Sequence, residues 1–301
     1  EGGDHLMKGY RGYAMDSMKR AALLALILIG LCVSAGCFGP IPGAGQTETE
    51  YRTVAAGPGR EIVVQNRNGN VHLEAWDRDY VEITAEMRTS FFRSELDRAE
   101  IPVSDSDTLL IETRHSGQNV RVQVDYRINV PADAEVTRIT TTNGAIVAEN
   151  ARVARAEASN GPITLRGTRG DVSMVTSNGP IEVEDVSGFV AAATSNGGIT
   201  ARNVSGIADL KASNGAIVAD LPAMRDDVSI ATSNGAVTIR VSAGLDADVL
   251  LQTSNGRIAV HDLPLTFRQY SDRFVQGVLG SGGHTLSVST SNAAIELFPL
   301  S

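Results

Sequence analysis

The sequence predicts an all-β chain: a parallel β-solenoid, β-helix-like, with about 18–21 residues per coil and an N-terminal β cap. Three observations predict it. Asn-Gly recurs at Asn143, Asn160, Asn178, Asn196, Asn214, Asn234 and Asn255, with an Asn-Ala variant at Asn292. The steps are 17, 18, 18, 18, 20 and 21 residues, then 37, and a fixed period of this size marks a repeat array. The columns beside the Asn are apolar at alternate positions, as in Ile163, Leu165, Met174 and Val172, which is the period of a strand with one buried face. The position six residues after each Asn alternates in sign: Glu149, Arg166, Glu184, Arg202, Asp220, Arg240, then His261.

The third observation bears on topology. Asn-Gly between alternating strands is also a hairpin signal, so an antiparallel meander competes with stacked coils. Alternating charges attract only when successive repeats lie side by side, about 4.8 Å apart. In a meander an intervening strand would separate them. Parallel stacking is therefore favoured. Stacked Asn side chains can then hydrogen-bond from coil to coil as a structural turn ladder, with Gly supplying a backbone conformation that other residues resist. The second turn of each coil is expected at pairs such as Ser187-Gly188 and Ser205-Gly206.

Residues 1–37 read as an N-terminal extension and a lipoprotein-type signal peptide. Lys19 and Arg20 precede an apolar run from Ala21 to Val33, and Ser34-Ala35-Gly36-Cys37 resembles a lipoprotein box with Cys37 as the lipidated residue. Ser34 stands where that box usually carries Leu, and an uncleaved signal anchor is the alternative. Either places the domain outside the cytoplasm, anchored to a membrane of the cell envelope or surface. Residues 38–50, rich in Gly and Pro at their start, read as a flexible tether. Residues 51–131 form the expected N-terminal β cap. They open with a divergent first coil at Ile62–Trp76, followed by strands near Tyr80–Glu86, Thr108–Thr113 and Val120–Val130 and a short helix or loop within Ser90–Glu100. Residues 132–301 are the Asn-Gly repeat solenoid.

Gln65–Trp76, the segment Val124-Asp125-Tyr126-Arg127-Ile128-Asn129-Val130-Pro131 and the repeated Thr-Ser-Asn-Gly-x-Ile resemble the putative adhesin family of prokaryotic β-strand-repeat proteins. That family is similar to the head domains of autotransporter adhesins and is of largely unknown function. The Gly280–Asn292 stretch is similar to its C-terminal pattern, with Ala293 departing from Gly and implying a relaxed final turn. The resemblance implies a surface role and carries over no catalytic residue.

Composition narrows the chemistry. The net charge is −9 and Lys211 is the sole lysine beyond the N-terminus, so no basic stripe can follow a nucleic acid. Both cysteines, Cys32 and Cys37, lie in the leader, which leaves the exported domain without a thiol or disulfide. His5, His72, His115, His261 and His284 show no metal-ligand spacing, so no metal or cofactor is expected. Carboxylates cluster at Asp105 with Asp107, at Glu182, Glu184 and Asp185, at Asp226 with Asp227, and at Asp246 with Asp248. A glycosidase needs two carboxyls flanking one bond; here Arg166 and Arg202 explain the Glu182 group as a charge ladder, and the other pairs suit turns. Asn203-Val204-Ser205 is a glycosylation sequon. The expected function is non-catalytic binding of a glycan or protein through one face. An envelope scaffold or stress-signalling component holding a protein partner is the alternative, and a polysaccharide lyase or hydrolase a further one. The outward column Thr140, Glu157, Val175, Ala193, Lys211, Ala231, Gln252 and Ser289 is mixed and selects none of them.

Overall fold

The computed structural model describes residues 45–56 and 60–300. Cys37 and the rest of the leader lie outside them. Residues Gln46–Glu50, expected at the end of the tether, instead begin the strand Gln46–Ala55, which pairs antiparallel along its whole length with Tyr80–Thr89. Their alternation Gln-Thr-Glu-Thr-Glu-Tyr is polar on both faces, and the edge position tolerates that.

The chain is all-β, and 24 of its strands form one large, mostly parallel sheet. Each repeat, named here by its Asn, contributes a strand before the Asn and a strand after it. Strands of successive repeats pair in parallel and in register: Ile139 opposes Ala156, Ala156 opposes Met174, and Ile163 opposes Ile181. The meander is thereby excluded. The divergent segment joins the same stack, with Val64 opposite Ile139 and Val71 opposite Ile146. Between the two series of strands lies a core of Val, Ile, Leu and Ala, where Val64, Leu73, Ile146, Ile163 and Ile217 are fully buried. Burying each such side chain contributes about 1.5–3 kcal/mol.

Three details of the repeat differ from expectation. The apolar column six residues before each Asn slips by one in three rungs: Val136, Val153 and Ile207 are buried where Thr137, Ala154 and Ala208 were expected to be. Register shifts beside Val136 and Val190 show the bulges that turn the larger residue inward. The second corner falls earlier than Ser187-Gly188 and Ser205-Gly206. It sits at Asp185 (φ 58°) and Asn203 (φ 47°), and the strands Ile181–Thr194 and Ile199–Ala212 continue past it. Asn and Asp accept the left-handed region more readily than other side chains.

The third concerns the Gly after each Asn. Gly69 and Gly144 have positive φ, but the later ones do not. Close approach is the reason Gly stands there: a Cβ on Gly161, Gly197 or Gly235 would meet the carbonyl oxygen of the preceding rung's Gly at 1.9 Å.

The spatial order of the last rungs is not the chain order. Thr285–Thr290 lies between Val228–Ala231 and Ala247–Thr253, and Ile295–Pro299 lies between Val237–Val241 and Ile258–Val260. The Asn292 rung is therefore slotted inside the Asn255 rung, and its Asn-Ala turn is not the terminal one. The antiparallel hairpin Leu265–Tyr270 and Phe274–Leu279 follows beside Ala247–Thr253. At the opposite end, Gln123–Pro131, Tyr80–Thr89 and Gln46–Ala55 complete the sheet, with a short 3-10 helix at Arg93–Arg98.

Candidate functional site

The turn ladder positions the surface. From Asn143 Nδ2 to Asn68 Oδ1 is 2.7 Å, and the same bond repeats through Asn160, Asn178, Asn196, Asn214 and Asn234 at 2.8–2.9 Å. Asn292 then donates to Asn234 at 2.7 Å, and Asn255 donates to Asn292 at 2.8 Å, following the spatial order. Asn68 was not expected in the ladder; its Asn68-Gly69 pair was the available signal. Two residues before the Asn, a buried Thr locks most turns from inside, with Ala158 and Ala212 standing there in two others. Thr176, Thr194, Thr232 and Thr290 donate Oγ1 to the Gly carbonyl of the preceding rung at 2.9–3.0 Å. At the N-terminal end Thr113, Asn66 and Tyr126 form a buried polar cluster, and burial pushes the Tyr126 phenol well above its ordinary range.

Because Thr faces in, the residues on either side of it face out. Val175, Ala193, Lys211, Ala231 and Ser289 stand in one register row across five neighbouring strands. Ser177, Ser195, Ser213, Ser233 and Ser291 form a second, exposed row beside the Asn ladder. Together they line a shallow open groove of about 590 Å³. Its single charge is Lys211, held by Asp209 at 2.7 Å. Glu157, bonded to Arg155, continues the row at one end and Gln252 at the other. The backbone of the groove floor is already paired in the sheet, so the groove offers side-chain hydroxyls, not a free strand edge.

The charged row lies on the other series of strands. Arg166 lies 3.7 Å from both Glu182 and Glu184, and Arg240 lies 2.7 Å from Asp220. His261 stacks on Phe298 at 4.3 Å, because the Asn292 rung separates it from Arg240. At the other end the alternation fails, since Glu74 sits opposite Glu149. His72 reaches Glu149 at 3.6 Å, so His72, Glu74 and Glu149 offer three ligand atoms within 4.8 Å of one another. Chain spacing alone could not bring His72 and Glu149 together. Burial and the nearby Arg67 and Arg98 lower the pKa of His115.

The remaining acids secure loops. Asp246 accepts the Ser281 amide at 2.6 Å and Asp227 that of Thr285 at 2.7 Å. Asp248 pairs with Arg268 at 3.2 Å, and Asp226 with Arg225 at 3.7 Å. Asn203 donates its Nδ2 to Asp185, the equivalent residue of the preceding rung. With Asn150 and Gly167 these make a second column of positive-φ residues, seven after Asn143, Asn160, Asn178 and Asn196; Leu221 and Val241 interrupt it before Asp262, and its Asn/Gly/Asp composition was a signal available in the sequence. Among the described residues no helix is long and apolar enough to cross a membrane.

The Toastrack DUF4097 family matches residues 59–297, and the chain belongs to it. No curated protein matches the sequence. Among solved structures, a putative adhesin from Bacteroides fragilis NCTC 9343 is 12% identical with a TM-score of 0.45, over 86% of this chain and 100% of that one. A putative lipid binding protein from Parabacteroides distasonis ATCC 8503 is 13% identical with a TM-score of 0.46, over 85% and 98%. A putative adhesin from Parabacteroides merdae ATCC 43184 is 10% identical with a TM-score of 0.40, over 85% and 96%. At these identities and scores none of the three informs what this chain binds.

Proposed function

We propose that the chain is an exported protein, lipid-anchored through Cys37 at the cell envelope or surface, which binds a linear glycan without catalysis. Its repeats are read as a parallel β-solenoid, with residues 51–131 as the N-terminal β cap. The observation that carries the reading is the groove of Val175, Ala193, Lys211, Ala231 and Ser289 with its parallel Ser row. A regular face with repeating hydroxyls suits a ligand that itself repeats and presents hydroxyls. A peptide that adds as a strand needs an unpaired edge, which the groove floor lacks. The acidic group weighed from the sequence as a catalytic pair, Glu182 and Glu184, lies on the other series of strands with Arg166 at 3.7 Å from each. Asn203 remains a proposed modification site, with its Nδ2 engaged by Asp185.

The test is retention of the full chain on immobilised envelope and extracellular polysaccharides, with release of new chain ends recorded in parallel. Retention without new ends is the expected result. Ala193→Trp, which fills the groove at the second of its five positions from an outward-facing site, is expected to weaken retention of long polymers and leave the Tm unchanged. New chain ends would overturn the non-catalytic reading. Failure of every polymer to bind would shift the case to a protein partner.

A further inference from the structure

We infer that the loop carrying Phe91 and Phe92 is a lipid-docking tip that sets the first-strand end of the stack against the bilayer surface. Phe92 is 82% exposed and Phe91 45%, while most large apolar side chains among the described residues are buried. Phe91 carries Arg121 over its ring, but an 82% exposed Phe92 beside it gains little for the fold. Their position gives the reason. The described chain begins at Gly45, and Gln46 lies opposite Thr89, two residues before Phe91. Gly45, Gln46, Thr89, Ser90, Phe91 and Arg121 line one cleft of about 450 Å³. Arg93, beside Phe92, bonds Glu48 of the entering strand at 2.9 Å, which fixes the loop to the point of entry.

The sequence before Gly45 contains the apolar run Ala21–Val33 and then Cys37. The eight-residue reach from Cys37 to Gly45 spans at most roughly 27 Å. The part of the molecule nearest any anchor in that segment is therefore the part bearing the exposed rings. An anchor alone leaves the domain free to turn on its tether; aromatic rings at the water–lipid boundary would hold one orientation. Arg121 lies over the Phe91 ring at 4.5 Å, leaving Phe92 outermost.

The attraction is apolar, not coulombic. Arg88 pairs with Glu86 at 2.6 Å, Arg98 with Glu95 at 2.9 Å, and Arg93 with Glu48. Arg121 adds one cation beside Phe91, and Asp125, 3.8 Å from Arg88, adds one anion, so the nearby charges balance and docking should survive added salt.

This inference rests on the anchor reading for its geometry, and the experiment separates the two. The full chain is reconstituted with phosphatidylcholine vesicles carrying brominated acyl chains. Phe92→Trp is compared with Phe267→Trp, an exposed ring on the hairpin at the opposite end, and with wild type, whose only tryptophan is Trp76. Flotation with the vesicles reports the anchor; quenching reports docking. The expected result is a blue shift and salt-independent quenching for Phe92→Trp alone. Flotation with neither tryptophan quenched would overturn the docking tip and leave the anchor standing. Equal quenching of both would overturn a fixed orientation. Full chain purified from membranes without lipid on Cys37 would defeat the anchor reading, and unquenched Phe92→Trp in that sample would defeat docking too. Phe92→Ser, which removes no buried contact, should keep the wild-type Tm while lowering recovery of the Cys37→Ser chain with vesicles.

Discussion

At the residue scale, the rung turn is held by three different demands on three positions of one four-residue stretch, as in Thr194, Asn196 and Gly197. Asn must bridge rungs with its amide, Thr must close an internal hydrogen bond, and Gly must leave room for a carbonyl. These demands differ in their cost of failure. Thr194→Val preserves shape but leaves the Gly179 carbonyl without its 2.9 Å donor, a loss of about 1–2 kcal/mol. Gly197→Ala puts a methyl 1.9 Å from the same carbonyl, backbone against backbone, so two rungs must separate. The expected cost is roughly 3 kcal/mol or more, in the range of overpacking and lost sheet bonds. Denaturant titration of both variants checks the ranking. A Gly197→Ala protein as stable as wild type would mean that the rungs can shift apart freely. His115 shows a further demand of placement: partial burial, and then the cations Arg67 and Arg98, favour its neutral form.

At the scale of the element, the slotted final rung couples the end of the chain to two earlier strands at once. Val288 lies opposite Ile230 on one side and Leu251 on the other. A charge at this fully packed position should therefore open both neighbours. In Val288→Asp, amide exchange is expected to accelerate in Val228–Ala231 and Ala247–Thr253 together, while Ile163–Arg166 keeps its protection. If the rungs followed chain order, Val228–Ala231 would lie two strands away and stay protected. The sequence made the regular rungs legible because Asn, Gly and Ile repeat at matching offsets, and strand register copies those offsets directly. The alternating charges likewise pointed to parallel stacking. The slotted rung was not legible: Asn255 and Asn292 carry the same columns in either order, and only the 37-residue interval hinted at an excursion. The inward slips to Val136, Val153 and Ile207 were hidden for another reason, since an apolar or small residue stands at both competing positions. The groove was hidden because its row mixes Val, Ala, Lys and Ser, whose common property is small bulk or tethered charge, not residue type.

At the scale of the whole molecule, a groove built from repeats predicts how binding should depend on the size of the ligand. The row from Val175 to Ser289 crosses five strands, so at about 4.8 Å per rung it spans roughly 19 Å. Each rung offers similar chemistry, one exposed Ser and an Asn of the ladder beside a row residue that is small or modest in bulk except at Lys211. A linear polymer lying along the groove should therefore gain affinity with each added unit until it reaches that span, and then level off. Calorimetric titration with a size series of the retained oligosaccharide checks this. Ala193→Trp supplies the internal control, because it divides the groove near its first third. Long oligomers should then bind no more tightly than short ones that fit the longer remaining stretch over Lys211, Ala231 and Ser289. A binder that recognises only a chain end would behave differently: its affinity would be flat beyond the first units, and Ala193→Trp would either abolish it or leave it untouched at every length. Length dependence thus separates a face that reads repetition from a pocket that reads one terminus, and only the first follows from stacked rungs.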